Sequence, residues 1–267
     1  MTASSTTGLT LPDWATLVLA PNPGPMTLTG TNTWVLAATA ADECVVVDPG
    51  PADPQHLDAV LAAAGSRRVL AVLLTHGHHD HVDGLLGLLE RTGATAPDVA
   101  GGAVIELAGL RLDVLDTPGH TADSRCFAVG TTVLTGDTVL GSGTSVVAWP
   151  DGDLAAYLAS LRRLDALAAN GSITRMLPGH GPVIDEPATV CRHYLTHRLE
   201  RIAQVRRSLA DRADGADGAD GADGADRADD VVVKVYPELT GTLREAALRT
   251  VRATLIYLAA EADGQPC

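Results

Sequence analysis

The sequence predicts an α/β protein in which two β-sheets pack together and carry helices on their outer faces. Two sets of short apolar runs indicate the sheets, and segments with helical spacing lie among them. The 267 residues, 46% of them hydrophobic, are enough for one large domain and a small appendage. Because only 3% are aromatic, Ala, Leu and Val must form most of the core.

The first half of the chain predicts one sheet and two helices. Strands are expected where apolar runs are bounded by Pro, Gly and Asp. These runs are residues 17–20, 33–37, 44–47 and 69–74. A helix is predicted over Pro54–Ala64, since proline suits the first helical turn. Another is predicted over residues 82–90, closed by Gly93.

The second half predicts another sheet and further helices. The strand candidates are residues 104–107, 110–115, 126–129, 133–134 and 173–177. Apolar spacing predicts a helix over residues 154–168, capped by Asp151 or Asp153. From residue 188 a long amphipathic helix is expected to run to about residue 210. We therefore predict two domains, a catalytic one over residues 1–187 and a helical one over residues 188–267.

An Ala-Asp-Gly repeat interrupts the C-terminal part. Residues 211–230 contain eight Asp, two Arg and no apolar residue larger than Ala, so ordering them would not repay its entropy cost. We predict a disordered linker there. A helical pattern returns over residues 231–258. Its apolar positions are Leu243, Ala247, Val251, Leu255 and Leu258.

The charge of the chain restricts its partners. The net charge is −14, from 33 acidic and 19 basic residues, which disfavours binding to nucleic acid or anionic membranes. No apolar run reaches the roughly 18 residues of a membrane span, and the first residues lack the pattern of a secretory signal. Four scattered cysteines without a CxxC pair are typical of a reducing compartment. We predict a cytoplasmic protein. The sequence leaves open whether it forms an oligomer.

A cluster of histidines follows the apolar run at residues 69–74. The segment reads Thr75-His76-Gly77-His78-His79-Asp80-His81. Two histidines two positions apart can converge on one metal ion, and Asp80 with His81 can turn toward a second. A buried structural histidine seldom needs three neighbours of its own kind. The cluster therefore favours a metal site.

Three more candidate ligands lie in short loops after strand-like runs. His120 and His180 each follow Pro-Gly, and Asp137 lies in Gly-Asp-Thr. Alone, each loop is typical of a turn. With the histidine cluster they supply five imidazoles and two carboxylates, which suit zinc, although iron or manganese accepts the same donors. Seven ligands are too many for one tetrahedral ion and fit two ions that share a carboxylate and a water.

These motifs resemble the metallo-β-lactamase superfamily, whose His-x-His-x-Asp-His motif is met at residues 76–81. The resemblance implies an αββα sandwich of the metallo-β-lactamase type. The ligands that it implies are His76, His78 and His120 for one metal and Asp80, His81 and His180 for the other, with Asp137 between them. Asp48, in Val-Asp-Pro-Gly, matches an aspartate that supports the ligand loop. From the residues alone, a turn is the other interpretation.

The resemblance narrows to the lactamase-beta-like subfamily, which has glyoxalase II-like relatives. Residues 22–27 and 30–33 are similar to the opening of that subfamily. Residues 235–237, Val-Tyr-Pro, and the helical pattern after them resemble its small winged-helix-like C-terminal domain. Two features depart from the subfamily. Residues 91–103 are short, and the Ala-Asp-Gly repeat interrupts the C-terminal domain.

The resemblance implies a hydrolase in which two zinc ions activate a bridging hydroxide, oriented by Asp80 and Asp137. We expect a thioester or a related small acyl substrate. Single-strand RNA cleavage is one alternative, and a cluster of basic residues favours it. The cluster is Arg192, His193, His197, Arg198, Arg201, Arg206 and Arg207. The negative net charge and the low number of aromatic residues, which could stack with bases, disfavour it.

Two further alternatives come from other classes of protein. A mononuclear-iron sulfur dioxygenase shares the histidines, whereas di-iron members of the superfamily have glutamate in place of His78. Iron content would distinguish the dioxygenase from the hydrolase. A non-catalytic binding module is disfavoured, because the ligand set is complete.

Overall fold

The computed structural model describes residues 11–213 and 224–264. Its first sheet has four strands in the order β1-β2-β3-β4. The strands are β1 (Ala15–Leu19), β2 (Asn32–Leu36), β3 (Glu43–Val47) and β4 (Arg68–Leu73). All neighbours are antiparallel except β3 and β4, which are parallel.

The second sheet has five strands in the order β5-β6-β7-β8-β9. They are β5 (Val104–Leu107), β6 (Leu110–Asp116), β7 (Arg125–Val129), β8 (Thr132–Gly136) and β9 (Arg175–Pro178). Neighbours are again antiparallel, apart from the parallel pair β8 and β9. The two predicted sheets are thus confirmed.

Seven helices complete the described residues. They are α1 (Pro54–Ala64), α2 (His79–Val82), α3 (Leu85–Thr92), α4 (Leu154–Ala169), α5 (Pro187–Ala213), α6 (Gly224–Val235) and α7 (Gly241–Ala262). Asp153 caps α4 by accepting a hydrogen bond from the Ala156 amide at 2.7 Å. The helix predicted over residues 82–90 is wrong in its start, because α2 ends at Val82 and α3 begins only at Leu85.

Alternate residues of the second sheet face two different cores. Leu134 and Leu177 belong to the core that both sheets share. Val133 and Met176, one position earlier in each strand, belong to a second core with α4 and α5. This alternation is what the two-residue period of a strand produces when both faces are covered. With α1 and α3 packed on the first sheet, the layers follow the predicted αββα order.

Five strands end at the same edge of the sandwich. β3 runs parallel to β4 and β8 to β9, and β6 has the direction of β8 because β7 is antiparallel to both. At this edge the amide of Asn32 donates to the Gly179 carbonyl at 2.7 Å. The Asn32 side chain donates to the Pro178 carbonyl at 2.9 Å. These bonds fasten the two sheets together where the candidate ligands lie.

The C-terminal helices form a third apolar cluster. Val205 of α5 packs there with Val231 of α6 and Val251 of α7. The linker predicted over residues 211–230 is wrong at both ends, since α5 continues to residue 213 and α6 begins at residue 224. Burial of Ala228, together with an ion pair between Asp229 and Arg244 at 2.7 Å, explains why residues 227–230 are ordered. The middle of the predicted linker, residues 214–223, lies outside the described residues.

The helical character of the C-terminal part is confirmed. Over residues 188–213 and 224–264 the structure contains helices and no β-strand. Among the described residues, no helix combines the length and apolar character that crossing a membrane requires.

Candidate metal centre

All seven candidate ligands lie in segments that directly follow strands at the shared edge. His76 and His78 follow β4, and the short helix α2 presents Asp80 and His81. The other three follow β6, β8 and β9. These are His120, Asp137 and His180. The structure therefore brings together every ligand candidate that the sequence suggests.

Three histidines form the first group of converging nitrogen atoms. His78 Nδ1 lies 3.0 Å from His76 Nε2 and 2.9 Å from His120 Nε2. Nitrogen ligands of a tetrahedral zinc ion, each 2.0–2.1 Å from the metal, lie about 3.3 Å apart. The nitrogen atoms thus lie within about 0.4 Å of the spacing that one such ion requires.

Two histidines and a carboxylate form the second group. His180 Nε2 lies 3.2 Å from His81 Nε2 and 3.1 Å from Asp80 Oδ2. Asp80 Oδ2 is 3.6 Å from His81 Nε2. A mixed nitrogen and oxygen set of this kind also suits zinc, iron or manganese.

Asp137 lies between the two groups. Its Oδ2 is 3.8 Å from His120 Nε2 in the first group and 3.4 Å from His180 Nε2 in the second. Its Oδ1 is 3.4 Å from His81 Nε2 and is buried without a hydrogen bond to any described residue. A buried carboxylate oxygen without a partner is costly, so this position fits a cation.

Asp48 controls the orientation of His81. Its Oδ2 accepts a hydrogen bond from His81 Nδ1 at 2.8 Å and another from the Thr75 hydroxyl at 2.7 Å. That hydroxyl in turn accepts from His76 Nδ1 at 3.0 Å. Both histidines therefore carry a proton on Nδ1, and each directs Nε2 into the centre. Asp48 is almost fully buried and has a φ of 52°, which a non-glycine residue seldom adopts.

Backbone carbonyls orient two other histidines. His120 Nδ1 donates to the Val146 carbonyl at 2.6 Å, and His180 Nδ1 donates to the Gly30 carbonyl at 3.1 Å. In metal sites the outer imidazole nitrogen almost always donates in this way, which fixes the tautomer. Lone pairs facing one another at about 3 Å repel unless a cation or a proton lies between them. The donor set therefore fits bound divalent metal.

Two glycines allow the ligand loops to approach. Gly136 has a φ of 48°, and a Cβ there would lie 2.4 Å from the Thr75 hydroxyl oxygen. At Gly179 a Cβ would lie 2.6 Å from Asp137 Oδ1 and 2.7 Å from His81 Cε1. Glycine is thus required immediately before Asp137 and His180.

The first group consists of neutral imidazoles. Burial lowers the pKa of His78, lowers that of His76 well below the usual range, and lowers that of His120 to about 4. The Asp137 carboxylate opposes this shift at all three histidines, but burial prevails. Their nitrogen lone pairs are therefore available at neutral pH.

The second group has the opposite character. Burial favours neutral histidines there too, but the Asp137 carboxylate raises the pKa of His180 to about 9. Asp137 and Asp48 together raise the pKa of His81 well above its usual range against the same effect of burial. In turn His180 and His81 hold the pKa of Asp137 far below its usual range, although burial opposes this.

Helix α7 forms one wall of the cleft over the centre. The cleft has a volume of about 230 Å³. Thr242, Glu245, Ala246 and Arg249 of α7 line it opposite the candidate ligands. Their spacing of three, four and seven residues places them on one helical face. The sequence did not predict these four residues, because the helical pattern there is carried by the apolar face of the same helix. The pair Glu245 and Arg249, four positions apart, is the signal that could have indicated them.

The basic cluster on α5 does not form one surface. Arg198 is 4% exposed and donates to the Ser145 carbonyl in the interior. Arg206 pairs with Glu261 at 2.6 Å. The structure therefore removes Arg198 and Arg206 from the cluster that favoured RNA cleavage.

Comparisons with known proteins identify the family. The model for the metallo-beta-lactamase superfamily matches residues 26–97, which include the histidine motif. The beta-lactamase-like protein 2 homolog of Caenorhabditis elegans is 31% identical over 92% of this chain and 84% of its own length. The chain belongs to the metallo-β-lactamase superfamily. It is a metal-dependent hydrolase.

Two other matches extend the comparison. An atrochrysone carboxyl ACP thioesterase of Aspergillus fumigatus is 36% identical over 70% of this chain. The match spans 62% of the fungal protein's length. A metallo-beta-lactamase family protein from Thermus thermophilus has the same fold, with a TM-score of 0.72. It is 22% identical, and the match covers 93% of this chain and 94% of that one.

Proposed function

We propose that the protein hydrolyses thioesters or related small acyl compounds with two zinc ions. The position of Asp137 is the observation on which this proposal rests. A carboxylate whose Oδ2 faces both donor groups is the bridging ligand that a two-metal site needs. Because Asp137 faces both groups, the loop after β8 can supply a ligand to each of them.

We assign the ligands according to the two groups. His76, His78 and His120 would hold one ion, Asp80, His81 and His180 would hold the other, and Asp137 would contact both. Two divalent ions bound there would lower the pKa of a bound water and would polarise the substrate carbonyl. The donor set also accepts iron or manganese, and zinc is our proposal because histidine and carboxylate donors at tetrahedral spacing suit it.

The two carboxylates have different access to the substrate. The Asp80 side chain is 30% exposed, whereas that of Asp137 is 11% exposed. We therefore assign to Asp80 the transfer of a proton from the attacking water to the leaving sulfur, and to Asp137 the orientation of that water. The carbon–sulfur bond breaks as the water oxygen bonds to the carbonyl carbon.

The lining of the cleft supports a small acyl substrate. Met26, Val146, Ala148 and Ala246 supply apolar contacts beside the candidate ligands. The relatives named as thioesterases support the same class of reaction. The basic cluster, which loses Arg198 and Arg206, gives no such support to RNA cleavage. The cytoplasmic location stays a prediction.

Turnover by the metal-loaded protein tests the proposal. We expect hydrolysis of a small acyl thioester, followed by the released thiol, and no cleavage of a single-stranded RNA oligonucleotide. Chelation should abolish the turnover and zinc should restore it. His193→Ala is a matched control that should keep full turnover, because His193 is exposed on α5 and belongs neither to a donor group nor to the lining of the cleft. RNA cleavage without thioester hydrolysis would contradict the proposal.

A further inference from the structure

Another cavity, of about 340 Å³, lies between α5 and α6 and shares no described lining residue with the cleft over the metal centre. The described residues that line it are Arg201, Gln204, Arg207, Ser208, Lys234 and Val235. Three of them are cations and none is acidic. The protein has a net charge of −14, and its only lysine is in this lining. The lining therefore indicates a site for an anion.

Ser208 gives an independent indication of a ligand. Its side chain belongs to a residue that is 6% exposed, and its Oγ has no hydrogen-bond partner among the described residues. Buried hydroxyl groups in proteins nearly always have a partner, because leaving one unpaired costs free energy. A ligand in the cavity would accept the hydrogen bond that Ser208 can donate.

Arg201 is held in place before any ligand arrives. Its guanidinium carbon lies 4.7 Å from the centre of the Tyr236 ring. Its Nη1 donates to Gln204 Oε1 at 2.8 Å. These two contacts restrict a long side chain, so that less conformational entropy is lost when it binds an anion.

Two further cations are available to a ligand. Arg207 and Lys234 are exposed and make no hydrogen bond or ion pair with another described residue. Arg206, the neighbour of Arg207, instead pairs with Glu261 at 2.6 Å, and Arg244 pairs with Asp229 at 2.7 Å. These two cations, which lie outside the cavity, are thus each paired with a carboxylate.

We propose that this cavity binds a phosphate group of a small molecule. Phosphate oxygens accept several hydrogen bonds at once, which matches two guanidinium groups, one ammonium group and one hydroxyl donor. Single-stranded RNA would instead need a long basic groove with free aromatic faces. Here Tyr236 already stacks with Arg201, and the cations lie within one cavity.

A calorimetric titration of the zinc-loaded protein with inorganic phosphate, at constant ionic strength, tests the proposal. The double variant Arg207→Ala/Lys234→Ala should bind phosphate at least tenfold more weakly than the wild type. Arg206→Ala is the matched control, since it removes one positive charge from the same helix outside the cavity, and we expect wild-type affinity. Ser208→Ala changes no charge and should weaken binding about threefold.

Three outcomes would overturn the proposal. If the double variant binds phosphate as tightly as Arg206→Ala does, the measured binding belongs to the metal centre. If Ser208→Ala has wild-type affinity, the buried hydroxyl is not a donor to phosphate. If an RNA oligonucleotide without terminal phosphate binds the wild type, loses binding in the double variant and is not displaced by inorganic phosphate, the cavity belongs to an RNA surface. Matching circular dichroism spectra and thermal midpoints establish that the variants are folded.

Discussion

The two donor groups of the metal centre differ in charge although they share one edge of the sandwich. The first consists of three histidines, and burial keeps them neutral. The second includes Asp80, and Asp48 and Asp137 raise the pKa of its histidines. Asp48 contacts His81 alone among the ligand candidates. Asp137, itself a ligand candidate, and Asp48 behind His81 thus give the second group its charge, whereas burial makes the first group neutral.

This difference has a consequence for metal binding. A divalent ion in the first group meets neutral nitrogens, whereas an ion in the second must displace protons from His81 and His180. The ion in the second group gains the negative charge of Asp80 in return. We therefore expect the two groups to respond differently to substitution and to pH, with Asp137 as their common element.

The largest effect is expected from Asp137→Ala, which removes the one side chain that faces both groups. Thioester hydrolysis should fall at least about a thousandfold, or about 4 kcal/mol in transition-state free energy, since metal catalysis supplies several kcal/mol. Steady-state kinetics and metal content of the variant provide the measurement. Full activity with both metals still bound would refute the bridging role of Asp137.

A smaller and selective effect is expected from Asp48→Asn. Both oxygens of Asp48 accept, one from the Thr75 amide and the other from the Thr75 hydroxyl and His81 Nδ1, so the NH2 group of an Asn would face a donor and the hold on His81 would weaken. Loss of such a supporting residue typically costs about 10–100-fold in metal affinity or activity. Metal content after dialysis against a weak chelator should show loss of one metal. Equal loss of both metals would show that Asp48 does not act through the second group alone.

A third prediction changes no residue and concerns pH. Because the pKa of His180 is raised to about 9, metal affinity of the second group should rise about tenfold per pH unit for each displaced proton up to that pH. The first group should change little above pH 6, since the pKa of His120 is lowered to about 4. Zinc titrations at pH 6, 7 and 8, in two buffers of different ionisation enthalpy, count the released protons. An identical pH dependence of both zinc-binding steps would contradict the difference between the groups.

The sequence predicted the sheets and the convergence of the seven candidates because both depend on local patterns. Each candidate ligand follows a strand within a few residues, and parallel strand ends must meet at one edge. Asp48 was harder to interpret, because Val-Asp-Pro-Gly is also typical of a turn. Only its buried contacts with Thr75 and His81 distinguish the two interpretations.

The C-terminal part was less predictable because long-range packing determines it. Residues 227–230 look disordered in sequence, yet Ala228 is buried against α5 and α7. The face of α7 that includes Glu245 and Arg249 is polar and therefore resembles an ordinary solvent-exposed face. It lines the cleft because the opposite face packs against the rest of the protein. For example, Val251 on the opposite face lies in the third apolar cluster with Val205 of α5 and Val231 of α6.

The metal content of the purified protein, measured by elemental analysis together with thioester turnover, tests the central claim most directly. A two-metal hydrolase with Asp137 between its donor groups should contain two zinc ions per chain and hydrolyse the thioester. One iron ion per chain, with no thioester turnover, would contradict the claim and favour a redox reaction instead.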